Sequence, residues 1–225
     1  MNPALRDSVA HVFVDDVGLP ELADHDEHHL SRVLRLRDGE RVTVCDGKGS
    51  WRECVWSAGN LSPIGEVIVE ATRANRVGVA FVPVKGDRNE WAVQKLTEIG
   101  VDDIVVLSAT RRSVVRWTNE AKQMQKLRLV AREAAMQSRR TFLPSVEGLV
   151  ALDEVMRRSG AAVADPDAPS RPGGDVTLVA IGPEGGFDED EISPSAARVS
   201  LGDTILRAET ATLVAATLLV ARRER

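Results

Sequence analysis

The feature that most constrains the fold is a series of short, continuous apolar runs after residue 74, rich in β-branched side chains. They occupy residues 77–84, 103–108, 161–165 and 176–181. Runs of this kind are typical of strands that are buried on both faces of a sheet. Helical patterns alternate with them at residues 89–100, 118–138 and 209–222. The alternation predicts an α/β domain in which a parallel sheet carries helices on both faces.

The first 73 residues have a different texture, with short stretches that alternate polar and apolar side chains. Residues 41–46, 51–56 and 66–70 are strand candidates on this ground. The sequence DGKGS between the first two predicts a hairpin turn, and residues 26–36 form a helical pattern. We therefore expect a small β-barrel at residues 1–73 and the larger α/β domain at residues 74–225.

Composition narrows the class of protein. The chain has 225 residues and a formal net charge of −5, which disfavours a general nucleic-acid coat protein but permits local basic surfaces. It has no apolar run of the ~18 residues that a membrane span needs, and its charged N-terminus is unlike a secretion signal. Cys45 and Cys54 fit small strand residues in a reducing compartment. These properties favour a cytoplasmic protein.

The stretch IGPEGGFDEDEI, at residues 181–192, is a candidate ligand loop. It follows an apolar run, and open parallel sheets bind ligands at the carboxyl ends of their strands. Gly185 and Gly186 permit close backbone approach, but the Lys and the Ser or Thr of a phosphate-binding loop are missing. The acids Glu184 and 188–190 would repel phosphate and suit a neutral or cationic ligand. The alternative is a tight turn before an acidic helix start.

Two further stretches place charged residues at the same presumed edge of the sheet. LGDTILRAETA, at residues 201–211, sets Arg207 and Glu209 around a helix start. KGDR sets Lys85 and Arg88 just beyond a strand end. Each also has a plain structural interpretation, namely a surface arginine beside an N-terminal acid in the first case and a solvated turn in the second.

Three histidines give the weakest candidate. His25, His28 and His29 stand at i, i+3 and i+4, a spacing that can place imidazoles on one helix face and so bind a metal. No distant ligand signal, such as paired cysteines, accompanies them. We therefore favour an ordinary helix start and expect no metal site.

The stretches KGDRNEWAVQKLTEIGV, AMQSRR, IGPEGGF and LGDTILRAETA stand in the order and spacing of the 16S ribosomal RNA (uracil-1498-N3)-methyltransferases. The chain closely resembles that family, which belongs to the SPOUT class of knotted methyltransferases. The resemblance covers nearly the whole chain, and IGPEGG followed about twenty residues later by LG-x-x-ILR-x-ETA is highly specific. The stretch HHLSRVLRLRDGERVTVCDGKG is similar to the family's PUA-like RNA-binding barrel.

The resemblance implies a fold, a cofactor and partners. The fold would be a SPOUT-type parallel sheet with a C-terminal trefoil knot, plus a small N-terminal PUA-like β-barrel. The partners would be 16S ribosomal RNA in the 30S subunit and a second copy of the chain. The cofactor would be S-adenosylmethionine, held by Ile181, Gly182, Pro183, Glu184, Gly185, Gly186, Leu201, Gly202, Ile205, Leu206 and Thr210. The expected RNA contacts are the basic residues Arg32, Arg35, Lys85, Arg88, Arg111, Arg112 and Arg140.

The implied reaction is methylation of N3 of one uridine. This nitrogen is protonated at neutral pH and must lose its proton before it attacks a methyl carbon. An arginine near the uracil oxygens would stabilise the anion, and a carboxylate could take or relay the proton. Arg207 and Glu209 are the predicted catalytic pair. Alignment of the reacting atoms is a competing source of the rate.

Two positions depart from the family pattern. Met136 stands where a glutamate is usual, so any role of that carboxylate is lost or moved. The early basic residue beside the first strand is replaced by His11 or shifted to Arg6. These departures affect the expected N-terminal RNA contacts and leave the cofactor site intact.

Other functions remain open on sequence alone. One is a SPOUT-like protein that binds RNA or ribosomes without catalysis, and another is a methyltransferase for a different rRNA or tRNA nucleotide. A third is a small-molecule α/β enzyme that uses a phosphorylated nucleotide, which the acidic loop disfavours. Binding of S-adenosylmethionine, measured by calorimetry, separates the first and third from the main prediction.

Overall fold

A computed structural model describes residues 1–223 and divides the chain into two compact units. The N-terminal unit comprises residues 1–73 together with 135–143, and the C-terminal unit comprises residues 74–134 and those from 144 onward. The segment 135–143 lies in the part of the sequence predicted as the α/β domain. In the described residues no helix is both long and apolar enough to cross a membrane.

The N-terminal unit is built on one five-stranded sheet. Its central antiparallel pair is β2 (Arg41–Cys45) and β3 (Ser50–Ser57), and β1 (Ala10–Phe13) lies parallel to β2. β3 also pairs with β4 (Asn60–Pro63) and β5 (Ile68–Val69). The helices of this region are α1 (Pro3–Asp7) and α2 (Asp24–His28), which continues as a π-helical turn over His29–Val33.

Local hydrogen bonds explain the predicted hairpin between β2 and β3. Asp46 Oδ1 accepts from the backbone N–H groups of Lys48 (2.7 Å) and Ser50 (3.0 Å), which closes the DGKGS turn.

One of the three candidate metal-binding histidines has a carboxylate partner. In α2, His25 pairs with the buried Asp26 (Nε2–Oδ1 3.3 Å). Within residues 1–223, no three His, Cys, Asp or Glu side chains are grouped so that they could hold a metal ion.

His11 and Met136, which depart from the family pattern, are buried and half-buried in the N-terminal unit. His11 lies within hydrogen-bonding distance of Thr43 Oγ1 (2.8 Å) and of the carbonyl oxygen of Arg140 (3.1 Å). Burial lowers the pKa of His11 to about 4, so the ring is neutral at pH 7. Met136 packs against the apolar clusters of the unit. Neither residue presents a charge to RNA, and the exposed Arg6 is paired with Asp7 (2.7 Å).

The two cysteines are fully buried in the N-terminal sheet. Burial raises the pKa of Cys45 to about 12 and that of Cys54 to about 11. Thiol reagents attack the thiolate, which is scarce at pH 8 for both residues. We expect dithionitrobenzoate to label neither thiol of the native chain while it labels both in denaturant. Fast stoichiometric labelling of either cysteine in the folded chain would contradict this prediction.

The C-terminal unit contains a six-stranded sheet in which all neighbouring strands are parallel. The strands are β6 (Gly78–Phe81), β7 (Asp103–Leu107), β8 (Ser145–Val150), β9 (Ala161–Ala164), β10 (Leu178–Ile181) and β11 (Ala197–Val199), in the spatial order β11-β9-β10-β6-β7-β8. The helices are α3 (Arg88–Ile99), α4 (Glu120–Gln137), α5 (Leu152–Met156) and α6 (Ala208–Ala221), and the last three residues of α4 belong to the N-terminal unit. The predicted parallel α/β fold is confirmed.

Two apolar clusters explain why the strands read as continuous apolar runs. Val79 and Phe81 of β6 belong to the cluster that includes side chains of α3, α4 and α6, and Ala80 belongs to the one that includes α5. Successive strand residues point to opposite faces, so both faces of β6 are covered. Full burial of one such aliphatic or aromatic side chain contributes about 1.5–3 kcal/mol. The trefoil knot stays a prediction.

Candidate active site

The glycine-rich loop after β10 forms a tight turn and then a short 3-10 helix. The N–H of Gly186 donates to the carbonyl of Pro183 (2.8 Å), and Gly186 has φ +71°, a conformation that favours glycine. Asp188 then caps the 3-10 helix Glu189–Glu191 in a reciprocal capping box with Glu191. The acids of this segment therefore start a helix, which is the structural alternative that the sequence left open.

A cavity of about 160 Å³ lies against this loop. It is bounded by the segments that follow β9, β10 and β11, with the first turn of α6. Its lining includes Ile181, Gly182, Pro183, Glu184, Gly186, Leu201, Gly202, Ile205 and Leu206 of the predicted cofactor residues, and it omits Gly185 and Thr210. The other lining residues are Ala164, Asp165, Pro166, Phe187, Thr204, Ala208 and Ala211, of which only those at 164–166 lie outside the candidate stretches 181–192 and 201–211.

The end of β9 could have been found from the sequence. β9 pairs in parallel with both β10 and β11, so its carboxyl end meets theirs at one edge. An apolar run at residues 161–165 was already a predicted strand, and the residues that follow it are candidates by the same argument. A larger, open cavity of about 470 Å³ shares Pro166, Gly202, Thr204 and Ile205 with the first, which widens the space at this edge.

The electrostatics of the smaller cavity disfavour a phosphate ligand. No Lys, Arg or His is found among the described residues of its lining, whereas Asp165 and Glu184 contribute carboxylates. Asp165 pairs with Arg198 (2.7 Å), whose hydrogen bond lowers the pKa of that carboxyl. Glu184 is exposed yet lies at the cavity. A neutral or cationic ligand fits this lining better than an anionic one.

An ion pair stands beside the cavity. Arg88 Nη1 donates to Glu209 Oε1 (3.3 Å), and Ala208 and Ala211, which flank Glu209 on α6, line the cavity. The Glu209 side chain is only 15% exposed. Its Oε2 is buried and has no hydrogen-bond partner within residues 1–223. A buried acceptor without a partner is costly, so this oxygen has hydrogen-bonding capacity that no contact in the described structure uses.

The structure thus changes the partner of the predicted catalytic carboxylate. The sequence paired Glu209 with Arg207, but Arg207 is exposed at the N-cap of α6 and its side chain makes no cap hydrogen bond. Arg88, predicted as an RNA contact, pairs with Glu209 instead, and the catalytic role of Arg207 stays a prediction. The two residues of the pair are 121 positions apart in the chain. They come together because α6 packs beside β6.

The other predicted RNA residues differ in exposure and in their contacts. Arg32, Arg35 and Lys85 are exposed, while Arg140 is half-buried and its backbone carbonyl lies against His11. Arg111 and Arg112 contact the glycine-rich loop, through ion pairs of Arg111 with Asp190 and of Arg112 with Asp188. Sequence reasoning missed these two pairs because loop-to-loop contacts leave no periodic signal.

A larger open groove of about 650 Å³ lies next to the N-terminus of α3. Its walls include Val84, Trp117 and Leu129, with Glu90 and Lys126 among the polar residues. Lys126 Nζ pairs with Glu90 Oε1 (2.6 Å). The groove combines apolar and charged side chains. No sequence pattern indicates it, because its residues come from three separate segments.

Family models match both parts of the chain. The model described as an RNA methyltransferase domain matches residues 72–220, and the one described as an RNA methyltransferase PUA domain matches residues 22–58. The ribosomal RNA small subunit methyltransferase E of Mycobacterium tuberculosis is 33% identical, covering 89% of this chain and 86% of the relative. That of Bacillus subtilis is 29% identical, with 84% of each chain covered.

Solved structures of methyltransferases are also similar to this chain. A protein of Legionella pneumophila, in complex with the cofactor SAM, has a TM-score of 0.78 and 27% identity, covering 94% of this chain and 96% of that one. The ribosomal RNA small subunit methyltransferase E of Neisseria gonorrhoeae, bound to S-adenosyl methionine, has a TM-score of 0.72 and 25% identity, covering 92% and 94%. The parallel sheet, the loop cavity and the matched domains define an RNA methyltransferase with a PUA domain. More particularly, the chain belongs to the ribosomal RNA small subunit methyltransferase E family, and the resemblance seen in the sequence is confirmed.

Proposed function

We propose that this chain methylates N3 of a specific uridine in 16S ribosomal RNA of the small subunit, with S-adenosylmethionine as the methyl donor. The observation that carries the proposal is the cavity at the glycine-rich loop with the Arg88–Glu209 pair beside it. The names of the relatives and the bound cofactor in the structures from Legionella pneumophila and Neisseria gonorrhoeae support the donor and the RNA.

The residues of the cavity fit S-adenosylmethionine. Ile181, Leu201, Leu206 and Phe187 offer apolar surface for the adenosine part, and Glu184 offers a carboxylate that suits a sulfonium cation. The absence of basic side chains among the described lining residues agrees with a cofactor that carries no phosphate. When bound, the cofactor supplies an electrophilic methyl group.

The Arg88–Glu209 pair fits the proton chemistry of uridine N3. The carboxylate of Glu209 accepts or relays the N3 proton through Oε2, which has no other partner in the described structure. The guanidinium of Arg88 stabilises the negative charge that then spreads onto the uracil oxygens. Because Arg88 holds Oε1, it also fixes the direction in which Oε2 points.

The partners are proposed to be the assembled small subunit and a second copy of the chain. A chain of net charge −5 docks on RNA through local basic residues, and Arg32 and Arg35 are exposed in the N-terminal unit. In the segment between β11 and α6, Ile205 is 82% exposed, and a second copy would cover such an apolar side chain. Sedimentation equilibrium tests the dimer, and a strictly monomeric chain would contradict it.

Mass spectrometry of 16S ribosomal RNA from a deletion strain tests the activity. We expect one N3-methyluridine to disappear and to return when the gene for this chain is restored. If no methyl mark is lost, the proposed function is wrong. Loss of a methyl group from a different nucleotide would keep the enzyme class and change the target.

A further inference from the structure

We propose that Arg112, with a smaller contribution from Arg111, is a positioning residue that holds the glycine-rich loop in the shape that receives the cofactor. This inference rests on the proposed function and deepens it. It gives Arg112 a role at the glycine-rich loop. The sequence predicted that Arg112 contacts RNA. Arg112 follows β7, the loop follows β10, and both segments lie in the C-terminal unit.

Arg112 contacts the loop at two points. Its Nη1 donates to the carbonyl oxygen of Gly185 (2.6 Å), and its Nε pairs with the carboxylate of Asp188. The first contact holds the turn and the second holds the N-cap of the 3-10 helix. One guanidinium therefore joins the two halves of the loop.

Packing of the Arg112 stem adds an independent observation. A Cβ placed on Gly185 would lie 3.2 Å from Arg112 Cδ and 3.5 Å from its Cβ. The alkyl chain of Arg112 thus crosses directly over Gly185, and the close approach leaves little room for a side chain there. Arg112 is held to the loop by its stem as well as by its charge.

The contacts of Arg112 with Gly185 and Asp188, called the clamp below, lie outside the cavity. Gly185, which Arg112 contacts, does not line the cavity, whereas Glu184 and Gly186 on either side of it do. A hydrogen bond to the Gly185 carbonyl therefore fixes the turn without occupying the space of the ligand. Pre-organisation of a loop raises affinity because the ordering entropy is not lost on binding.

Arg111 makes weaker contacts with the same segment. Its backbone N–H donates to Glu191 Oε1 (2.9 Å), and its side chain pairs with Asp190. The Arg111 and Asp190 side chains are 61% and 60% exposed, so solvent screens their attraction. The Arg112 and Asp188 side chains are 52% and 24% exposed, so solvent screens their pair less.

Calorimetric titration of the whole chain with S-adenosylmethionine tests the clamp. We expect Arg112→Gln to weaken the affinity about tenfold, because it loses the charge-assisted contacts with Gly185 and Asp188. Arg111→Gln should change it by less than about threefold, because its pair is screened. Arg157→Gln is the matched control, since Arg157 forms an exposed ion pair with Asp153 elsewhere on the surface (2.8 Å), and it should bind as the wild type does.

Partner substitutions separate positioning from general stability. Asp188→Asn keeps an N-cap side chain but loses the charge, so affinity should fall by less than in Arg112→Gln. The double variant should bind no more weakly than Arg112→Gln alone, because the two residues act through one contact. Arg112→Lys keeps the charge without the planar fork, and we expect an intermediate affinity.

Steady-state kinetics decide between the cofactor loop and RNA. For Arg112→Gln we expect a raised KM for S-adenosylmethionine, with kcat and the KM for small-subunit particles unchanged. Wild-type affinity for the cofactor together with a raised KM for the particles would overturn the clamp and restore the RNA contact. A wild-type chain that bound no S-adenosylmethionine would overturn the proposed function, and this inference with it.

Discussion

Replacing Glu209 by Gln is expected to lower the rate of methyl transfer about 100-fold or more, the range in which one general base acts. Glutamine has the same shape and can still accept a hydrogen bond from Arg88 at Oε1. Its amide nitrogen, which replaces Oε2, cannot take a proton from uridine N3. The native Oε2 is buried and has no partner in residues 1–223. Glu209 does not line the cofactor cavity, so the affinity for S-adenosylmethionine should be unchanged.

Single-turnover transfer of a labelled methyl group to small-subunit particles that lack the mark measures this effect. Glu98→Gln is the matched control, because Glu98 forms an ion pair with Lys95 on α3 (2.8 Å) and does not line the cavity. A Glu209→Gln rate within about threefold of the wild type would remove the proton role. Alignment of the reacting atoms would then account for the rate.

The sheet could be predicted from the sequence because its central strands are buried on both faces. β6, β7 and β10 are nearly continuous apolar runs in the structure, and such runs need no partner information to be recognised. β8 was missed because half-buried Glu147 and Gly148 interrupt its apolar pattern. β11 has three residues, which is too short for a periodic signal.

The candidate site could be predicted only where consecutive residues form it. Ile181 to Gly186 and Leu201 to Leu206 are continuous stretches, and most of their residues line the cavity. The partner of Glu209 and the clamp of Gly185 come from distant segments. No single-sequence pattern shows which of several exposed arginines reaches which carboxylate, since that choice depends on how the strands are ordered in the sheet.

The second large effect is expected at Gly182, which is the first residue after β10 and lines the cavity. A Cβ there would lie 3.2 Å from Phe187 Cδ2, 3.2 Å from Phe187 N and 3.3 Å from Gly186 C. Two of these atoms are backbone, so they cannot give way without opening the turn between Pro183 and Gly186. Valine adds two methyl groups beyond that Cβ. The loop must then leave the shape in which it bounds the cavity.

We expect Gly182→Val to weaken binding of S-adenosylmethionine about 100-fold or more, since a loop displaced from the cavity wall loses several contacts at once. Overpacking should also lower the free energy of unfolding by about 1–3 kcal/mol. Calorimetry and denaturant unfolding measure the two effects, and Gly182→Ala should fall between the wild type and the valine variant. Gly174→Val is the control, because a Cβ at Gly174 meets nothing within 4 Å. Near-native cofactor affinity in a folded Gly182→Val chain would show that this loop does not form the cofactor site.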